Sequence, residues 1–348
     1  MNLEEHVALS KLTTMQLGGT ARYVSEFRSV DELLEIMRFA TDRGLPIFVL
    51  GGGSNTLATD EGYEGVVALN RIAGYEESVE TDGSHIIKVG AGENWDATVR
   101  KSVESGLTGI EALSAIPGTV GAAPVQNIGA YGQEVATTIV SVEALDMQTG
   151  SVVNLDNEAC GFSYRHSIFR GSASGRYIIL TVSFRLQPGN PTPPFYAPVE
   201  SYLAKHEIDS PTPQDIRNTV MAIRFEKLPD PTTTPNTGSF FKNAIIDESA
   251  FTKFHESYPD APHYPADDGL YKIPTGWLIE QCGFKGTVHN GIRIHTKNAL
   301  VLINESATSY RDLEKTRDMI IQTVYEKFGI SIQQEPLLLT SRELMSSV

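Results

Sequence analysis

The chain has 348 residues, 41% of them hydrophobic and 20% charged, with a formal net charge of −15 at pH 7. That length and composition suit a globular protein of two or three domains. The acidity argues against general nucleic-acid binding, which rests on phosphate neutralisation, and no apolar run reaches the ~18 residues of a membrane-spanning helix.

The start, Met-Asn-Leu-Glu-Glu-His, lacks a basic segment followed by an apolar one, so no secretory signal is expected. Ser29-Val-Asp-Glu32 reads as a capping box. It opens a helix with Leu33, Leu34, Ile36, Met37 and Ala40 on one face, stopped by Gly44 and Pro46. Pro46–Leu50 predicts a strand running into Gly51-Gly52-Gly53-Ser54-Asn55, a context in which backbone amides meet a phosphate. No G-x-G-x-x-G follows and no helix opens at the last glycine, which counts against a dinucleotide-binding domain of the doubly wound kind. Strands are expected at Val66–Leu69 and His85–Val89, and a helix from Asn94 to about Ser105, ended by Gly106.

The stretch Ser114–Glu134 has no charged side chain before Glu134 and neither helical nor alternating periodicity. Its Gly118, Gly121, Gly129 and Gly132 sit among small residues, which suits a tightly packed crossover or a phosphate-binding loop. Ile139–Asp146 and Ser151–Leu155 predict a hairpin, and Tyr177–Leu186 another strand. Cys160 and Cys282 are too few for a disulfide framework and lack metal-ligand spacing, so buried, reduced thiols in a cytoplasm are expected. Pro188–Pro194 reads as a loop or lid. Thr212-Pro213 caps a helix carrying Ile216, Val220 and Ile223, and the Pro- and Thr-rich run Pro229–Gly238 marks a domain boundary. Helices near Asp247–Ser257 and Thr275–Gln281, a strand at Ala299–Ile303, a helix from Ser309 to Phe328 and a strand from Ser331 to about Thr340 complete the chain. The mixture predicts an α+β protein with two N-terminal lobes and a smaller C-terminal domain.

Three segments combine reactive groups with unusual backbone: Tyr164-Arg165-His166-Ser167, Gly238-Ser239-Phe-Phe-Lys242-Asn243 and Gln333-Gln334-Glu335-Pro336. Each also has an ordinary reading, respectively a structural ion pair, a turn and edge protection. No Ser-His-Asp order or G-x-S-x-G elbow supports a hydrolase, and no pair of histidines has the spacing of a helical metal site.

Taken in order, these segments resemble the UDP-N-acetylenolpyruvoylglucosamine reductase family. The resemblance is carried by Gly51–Asn55, Gly90-Ala-Gly-Glu-Asn-Trp95, Ile116-Pro-Gly118 with Gly121, and Pro124–Gly132. It continues in Phe162–Phe169, Lys227-Leu-Pro-Asp-Pro231, Gly238–Asn243, Gly276-Trp-Leu-Ile279 and Ala299–Asn304. Pro188–Pro198, with Tyr196, is similar to the extra loop of the longer form of that family.

The resemblance implies an FAD-binding fold of the vanillyl-alcohol-oxidase type: lobes over 1–70 and 71–228, a substrate domain over 229–335, and a tail over 336–348 packing back on the first lobe. It implies non-covalent FAD held by Gly51, Gly52, Gly53, Ser54, Asn55, Pro117, Gly118, Gly121, Ala122, Ala123, Gln126, Asn127 and Gly129. Ala122-Ala123 stand where many relatives carry hydroxyl residues. With NADPH as reductant, UDP-N-acetylglucosamine enolpyruvate would be reduced to UDP-N-acetylmuramate for peptidoglycan precursor synthesis. Arg165 would stabilise the enolate-like charge, Glu335 in its protonated form would assist, and Ser239 would supply the proton. Tyr196, Lys227, Asn243, Tyr264, Lys272 and Asn298 would surround the UDP and sugar, Asn298 replacing a common Gln. Lys227, Lys242, Lys272 and Arg224 would supply local positive charge. A cytoplasmic monomer without nucleic-acid, membrane or metal partners is expected. The alternatives are another FAD-dependent sugar oxidoreductase of this fold and a non-catalytic UDP-sugar binder.

Overall fold

A computed structural model describes residues 1–339. The chain divides into two compact units, one of residues 1–6, 22–52 and 64–226, the other of residues 7–21, 53–63 and those described from 227 onward. Among the described residues no helix is long and apolar enough to cross a membrane.

The first unit is built on two sheets. A four-stranded sheet runs in the order Glu4–Ala8, Thr20–Phe27, Tyr63–Asn70, Ile47–Leu50, its last pair parallel. Helix α1, Val30–Asp42, begins as its capping residues dictate: Ser29 Oγ accepts from the Glu32 amide at 3.2 Å. It buries Leu33, Ile36 and Ala40 against Phe27, Val66 and Ala68. The second sheet is antiparallel, ordered Ser151–Asp156, Ile139–Asp146, Tyr177–Pro188, His85–Gly90, Tyr75–Val79. The expected hairpin is its edge. Helix α2, Trp95–Glu104, is capped by Asn94, whose side chain accepts from the Ala97 amide, and Trp95 packs edge-on against Phe184 at 5.8 Å. The Cys160 thiol is fully buried, which pushes its pKa up to about 12.

Two helices follow in the first unit. Helix α3, Ala197–Lys205, was not expected from the sequence, because nine residues after a proline-rich run with Pro198 in the first turn carry almost no apolar period. Helix α4, Pro213–Lys227, forms as predicted, with the Thr212 hydroxyl accepting from the Asp215 amide at 3.2 Å. Val199 and Leu203 of α3 meet Ile216, Val220 and Ile223 of α4 over Ala112.

The second unit carries an antiparallel sheet ordered Asn236–Ser239, Val301–Asn304, Ile292–Ile294, Val288–His289, and a three-stranded sheet ordered Ala244–Ile246, Tyr271–Ile273, Tyr264–Pro265. Helices α5 (Glu248–Ser257), α6 (Thr275–Gln281) and α7 (Tyr310–Phe328) cover them. Phe240, Phe254, Ile279, Ile320 and Val324 lie in one buried cluster. The expected final strand is shorter than predicted. Among the described residues of that segment only Leu337–Leu339 is a strand, parallel to Thr56–Ala58, while Gln334 makes an isolated bridge to Phe241. Thr340 and the rest of the tail assigned to 336–348 lie outside the described residues.

Candidate active site

In the first unit the uncharged stretch is pinned to its neighbours. Trp95 Nε1 donates to the Leu113 carbonyl at 2.9 Å, the Trp95 amide to Gly118 O at 3.1 Å, and the Gly121 amide to Ala91 O at 2.9 Å. The stretch then folds as two short 3₁₀ turns, Val120–Ala122 and Pro124–Gln126. The two glycine loops meet: a Cβ on Gly51 would lie 2.4 Å from Thr119 Oγ1, and one on Gly52 would lie 3.1 Å from Gly118 Cα. Gly118 itself has φ +126°, a conformation that side chains rarely adopt. Thr119, which sequence reasoning passed over, therefore joins Gly51, Gly52 and Gly118 as the place where the loops converge, with Pro117 next to it in the chain.

The amides of Ala122 and Ala123 donate within the turn, to Thr119 O and Val120 O. With the Gly121 amide they hold the loop's own shape. Gln126 accepts from Arg170 Nη1 at 2.6 Å. Asn127, 1% exposed at φ +47°, uses both ends of its amide as a fastener: Nδ2 donates to Glu134 and to Ser163 O, and Oδ1 accepts from the Ala136 amide. Gly53, Ser54 and Asn55 belong to the second unit, where their carbonyls accept from Thr14 N, Thr14 Oγ1 and Leu337 N.

The Arg165 segment docks on that same stretch. Ser163 and His166 exchange backbone hydrogen bonds at 3.2 and 3.1 Å, a tight turn that holds Arg165 at φ +53°. Arg165 Nη2 donates to Gly129 O at 2.8 Å, its guanidinium lies 5.3 Å from the Tyr164 ring centroid, and Ser167 Oγ donates to Val125 O at 2.7 Å. A fixed cation thus stands at Gly129. The lining, free of negative charge, fits a cofactor carrying a diphosphate. Residues 114–133 bear no acidic side chain, and the nearby acids are engaged, Asp96 by Arg217 and Glu111 by Thr108, Gly109 and Gln133.

In the second unit Ser239 ends the strand Asn236–Ser239, half-buried beside Phe240 and Phe241, which are 0% and 1% exposed. Those rings face the core, 5.1 Å apart edge to face, so they lock the strand. Gln333–Glu335 lies along it: the Lys242 amide donates to Gln333 O at 2.9 Å and the Glu335 amide to Phe240 O at 2.8 Å. Ser239 and Glu335, 96 positions apart in sequence, are therefore separated by one hydrogen-bonded backbone pair. Glu335 is 9% exposed.

Three of the expected UDP-binding residues gather around the small sheet of this unit. Asn243 precedes Ala244–Ile246, its Oδ1 accepting from the Thr275 amide at 3.1 Å. Tyr264 and Lys272 are directly opposed across strands, with Lys272 Nζ 5.8 Å from the Tyr264 ring centroid. Asn298 sits in a turn where Oδ1 accepts from the Leu300 amide at 3.1 Å. Lys227 is exposed at the end of α4. Tyr196, half-exposed in the first unit, is the residue before α3 and meets Tyr131 edge-on at 6.1 Å. Tyr131, which lies in the left-handed region at φ +50° beside Gly132, was not anticipated.

Comparisons with known proteins match both parts of the chain. Residues 21–156 match a family model described as an FAD binding domain, and residues 230–339 one described as the UDP-N-acetylenolpyruvoylglucosamine reductase C-terminal domain. The UDP-N-acetylenolpyruvoylglucosamine reductase of Ralstonia nicotianae is 40% identical over 340 residues, 97% of this chain and 99% of that protein. The reductase of Pseudomonas aeruginosa is 39% identical over 338 residues, with 97% and 99% covered. The crystal structure of the reductase from Thermus caldophilus shares the fold, with a TM-score of 0.66 at 24% identity over 98% of this chain and 100% of that one.

Proposed function

Because this chain belongs to the UDP-N-acetylenolpyruvoylglucosamine reductase family, we propose that it reduces UDP-N-acetylglucosamine enolpyruvate to UDP-N-acetylmuramate, drawing on NADPH through non-covalent FAD. It is an FAD-dependent oxidoreductase of peptidoglycan precursor synthesis. We assign it to the cytoplasm as a monomer, with no nucleic-acid or membrane partner.

FAD, when bound, supplies the carrier that accepts hydride from NADPH and passes it to the vinyl carbon of the substrate. The chain's own groups do the rest. Gly51, Gly52, Gly118 and Thr119, where the loops converge, would hold the cofactor's diphosphate, with Gln126, Asn127 and Gly129 shaping the adjoining wall. Hydride addition puts negative charge on the carbon next to the substrate carboxylate. Arg165 would hold that carboxylate and spread the charge, Glu335 would donate a hydrogen bond to it, and Ser239 would protonate the carbon. The observation that carries this assignment is the backbone pairing of Glu335 with the strand extension after Ser239. A sugar nucleotide would lie on Tyr196, Lys227, Asn243, Tyr264, Lys272 and Asn298. The Tyr264–Lys272 cross-strand pair supports this, since it offers a ring and a cation side by side.

The protein should purify yellow and release FAD on heating. Anaerobic addition of NADPH should bleach the flavin absorbance, and UDP-N-acetylglucosamine enolpyruvate should then restore it. Oxygen consumption with a reducing sugar and no need for NADPH would point to a sugar oxidase, and a colourless protein that cannot be reconstituted would sink the reading altogether.

Lys227→Ala should weaken substrate binding by about 1.5–3 kcal/mol, the range for a hydrogen bond to a charged group. FAD content should stay unchanged. Loss of flavin with normal UDP binding would place Lys227 on the cofactor instead.

A further inference from the structure

The ends of the uncharged stretch share an unusual feature. Ala115 and Tyr131, neither of them glycine, both lie in the left-handed region, at φ +58° and +50°. Such backbone persists only where the surroundings hold it. Both positions lead to the same helix. At the upstream end the Ala115 amide donates to Asp96 Oδ1 at 2.6 Å. Arg217 of α4 grips the same carboxylate with both nitrogens, Nη1 to Oδ1 at 2.6 Å and Nη2 to Oδ2 at 2.8 Å. Arg217 is 5% exposed. At the downstream end the Arg224 guanidinium of α4 faces the Tyr131 hydroxyl, and its charge opposes the rise in the tyrosine pKa that burial causes.

Arg217 and Arg224 are about two helical turns apart and so lie on one face of α4. That helix is held in turn by Ile216, Val220 and Ile223, packed on α3, with Tyr131 against the same cluster. Asp96 remains an anion for this purpose. Burial pushes its pKa up, but the hydrogen bonds from Arg217 and the Ala115 amide outweigh that and hold it below the usual carboxylate range.

We propose that α4 is a two-arginine clamp: Arg217, through Asp96 and Ala115, and Arg224, through Tyr131, are positioning residues that hold both arms of the 116–130 stretch in its flavin-binding shape. This rests on the reading of that stretch as the diphosphate-binding loop. A guanidinium fork suits the task because it grips both carboxylate oxygens at once, whereas an ammonium grips as a point charge.

The test is the rate at which FAD leaves the holoenzyme on dilution, followed by the rise in free-flavin fluorescence. Arg217→Met should speed release by ~10-fold or more, since removing one partner of a buried pair strands the other. Arg217→Lys should fall between it and the wild type, and Arg224→Met should also release faster. Ala122→Asp serves as a reporter of the loop itself. Ala122 is exposed, so the substitution adds a negative charge without crowding the core and should expel flavin if the loop holds a diphosphate.

Folded Arg217→Met with the wild-type release rate, alongside flavin loss in Ala122→Asp, would overturn the clamp and leave the loop reading standing. Wild-type release in both would remove the loop reading and the clamp together. If Arg217→Met does not fold, wild-type release in Arg217→Lys and Arg224→Met overturns the clamp, and faster release in both supports it.

Discussion

Replacing Ser239 with alanine is expected to leave reduction by NADPH nearly intact and to slow reoxidation by the enolpyruvyl substrate by ~10²–10⁴-fold, the usual worth of a positioned proton donor. Only the second step creates a carbanion-like centre that must be protonated. Ser239 suits that task by position. It stands at the end of a strand whose next two residues are locked in the core, so its hydroxyl is carried on rigid backbone. The residue that follows it is hydrogen-bonded to Glu335, which places a second polar group nearby. Ser239→Cys should retain more activity than Ser239→Ala, because a thiol can still give up a proton. Rapid-mixing measurement of the two steps decides the matter: equal slowing of both, or no slowing of reoxidation, removes Ser239 as the donor.

Arg165→Met should slow the same step by ~10²–10³-fold, the loss typical when one fixed donor to a developing negative charge is removed. The structure gives this arginine two anchors before any substrate arrives, the Gly129 carbonyl and the tight Ser163–His166 turn. Preorganisation of this kind is what makes a donor effective, since no reordering accompanies the reaction. Arg165→Lys should rescue little, because a flexible ammonium cannot reproduce two parallel hydrogen bonds to a carboxylate. Flavin content and the NADPH step serve as controls. If the NADPH step falls in parallel, Arg165 is maintaining the glycine stretch through Gly129 rather than stabilising charge on the substrate.

Elements with a local signature were legible from the chain alone. Ser29, Asn94, Asp247 and Ser309 each cap the helix that follows through a side-chain acceptor. The predicted hairpin forms, Ile139–Asp146 pairing antiparallel with Ser151–Asp156. A cap and the first amides it serves are at most a few residues apart, so sequence spacing is also spatial spacing. The ordered motifs also pointed to the family, and the matched relatives agree with them across the chain.

Tertiary structure decided what those motifs do to one another. It divided Gly51–Asn55 between two compact units, so that one sequence motif serves two bodies. It gave the Asn127 side chain a fastening role, because its partners Glu134, Ala136 and Ser163 arrive from different turns. It formed α3, which has little helical period of its own, by burying Val199 and Leu203 on α4. It also joined Arg217 to Asp96, and Glu335 to the strand after Ser239, across sequence separations that no local pattern encodes. Capping residues and periodicity specify which backbone an element adopts. Which distant partner a buried polar group finds depends on how the packed elements bring donors and acceptors within ~3 Å, because leaving such a group unpaired in the interior costs more than any local preference returns.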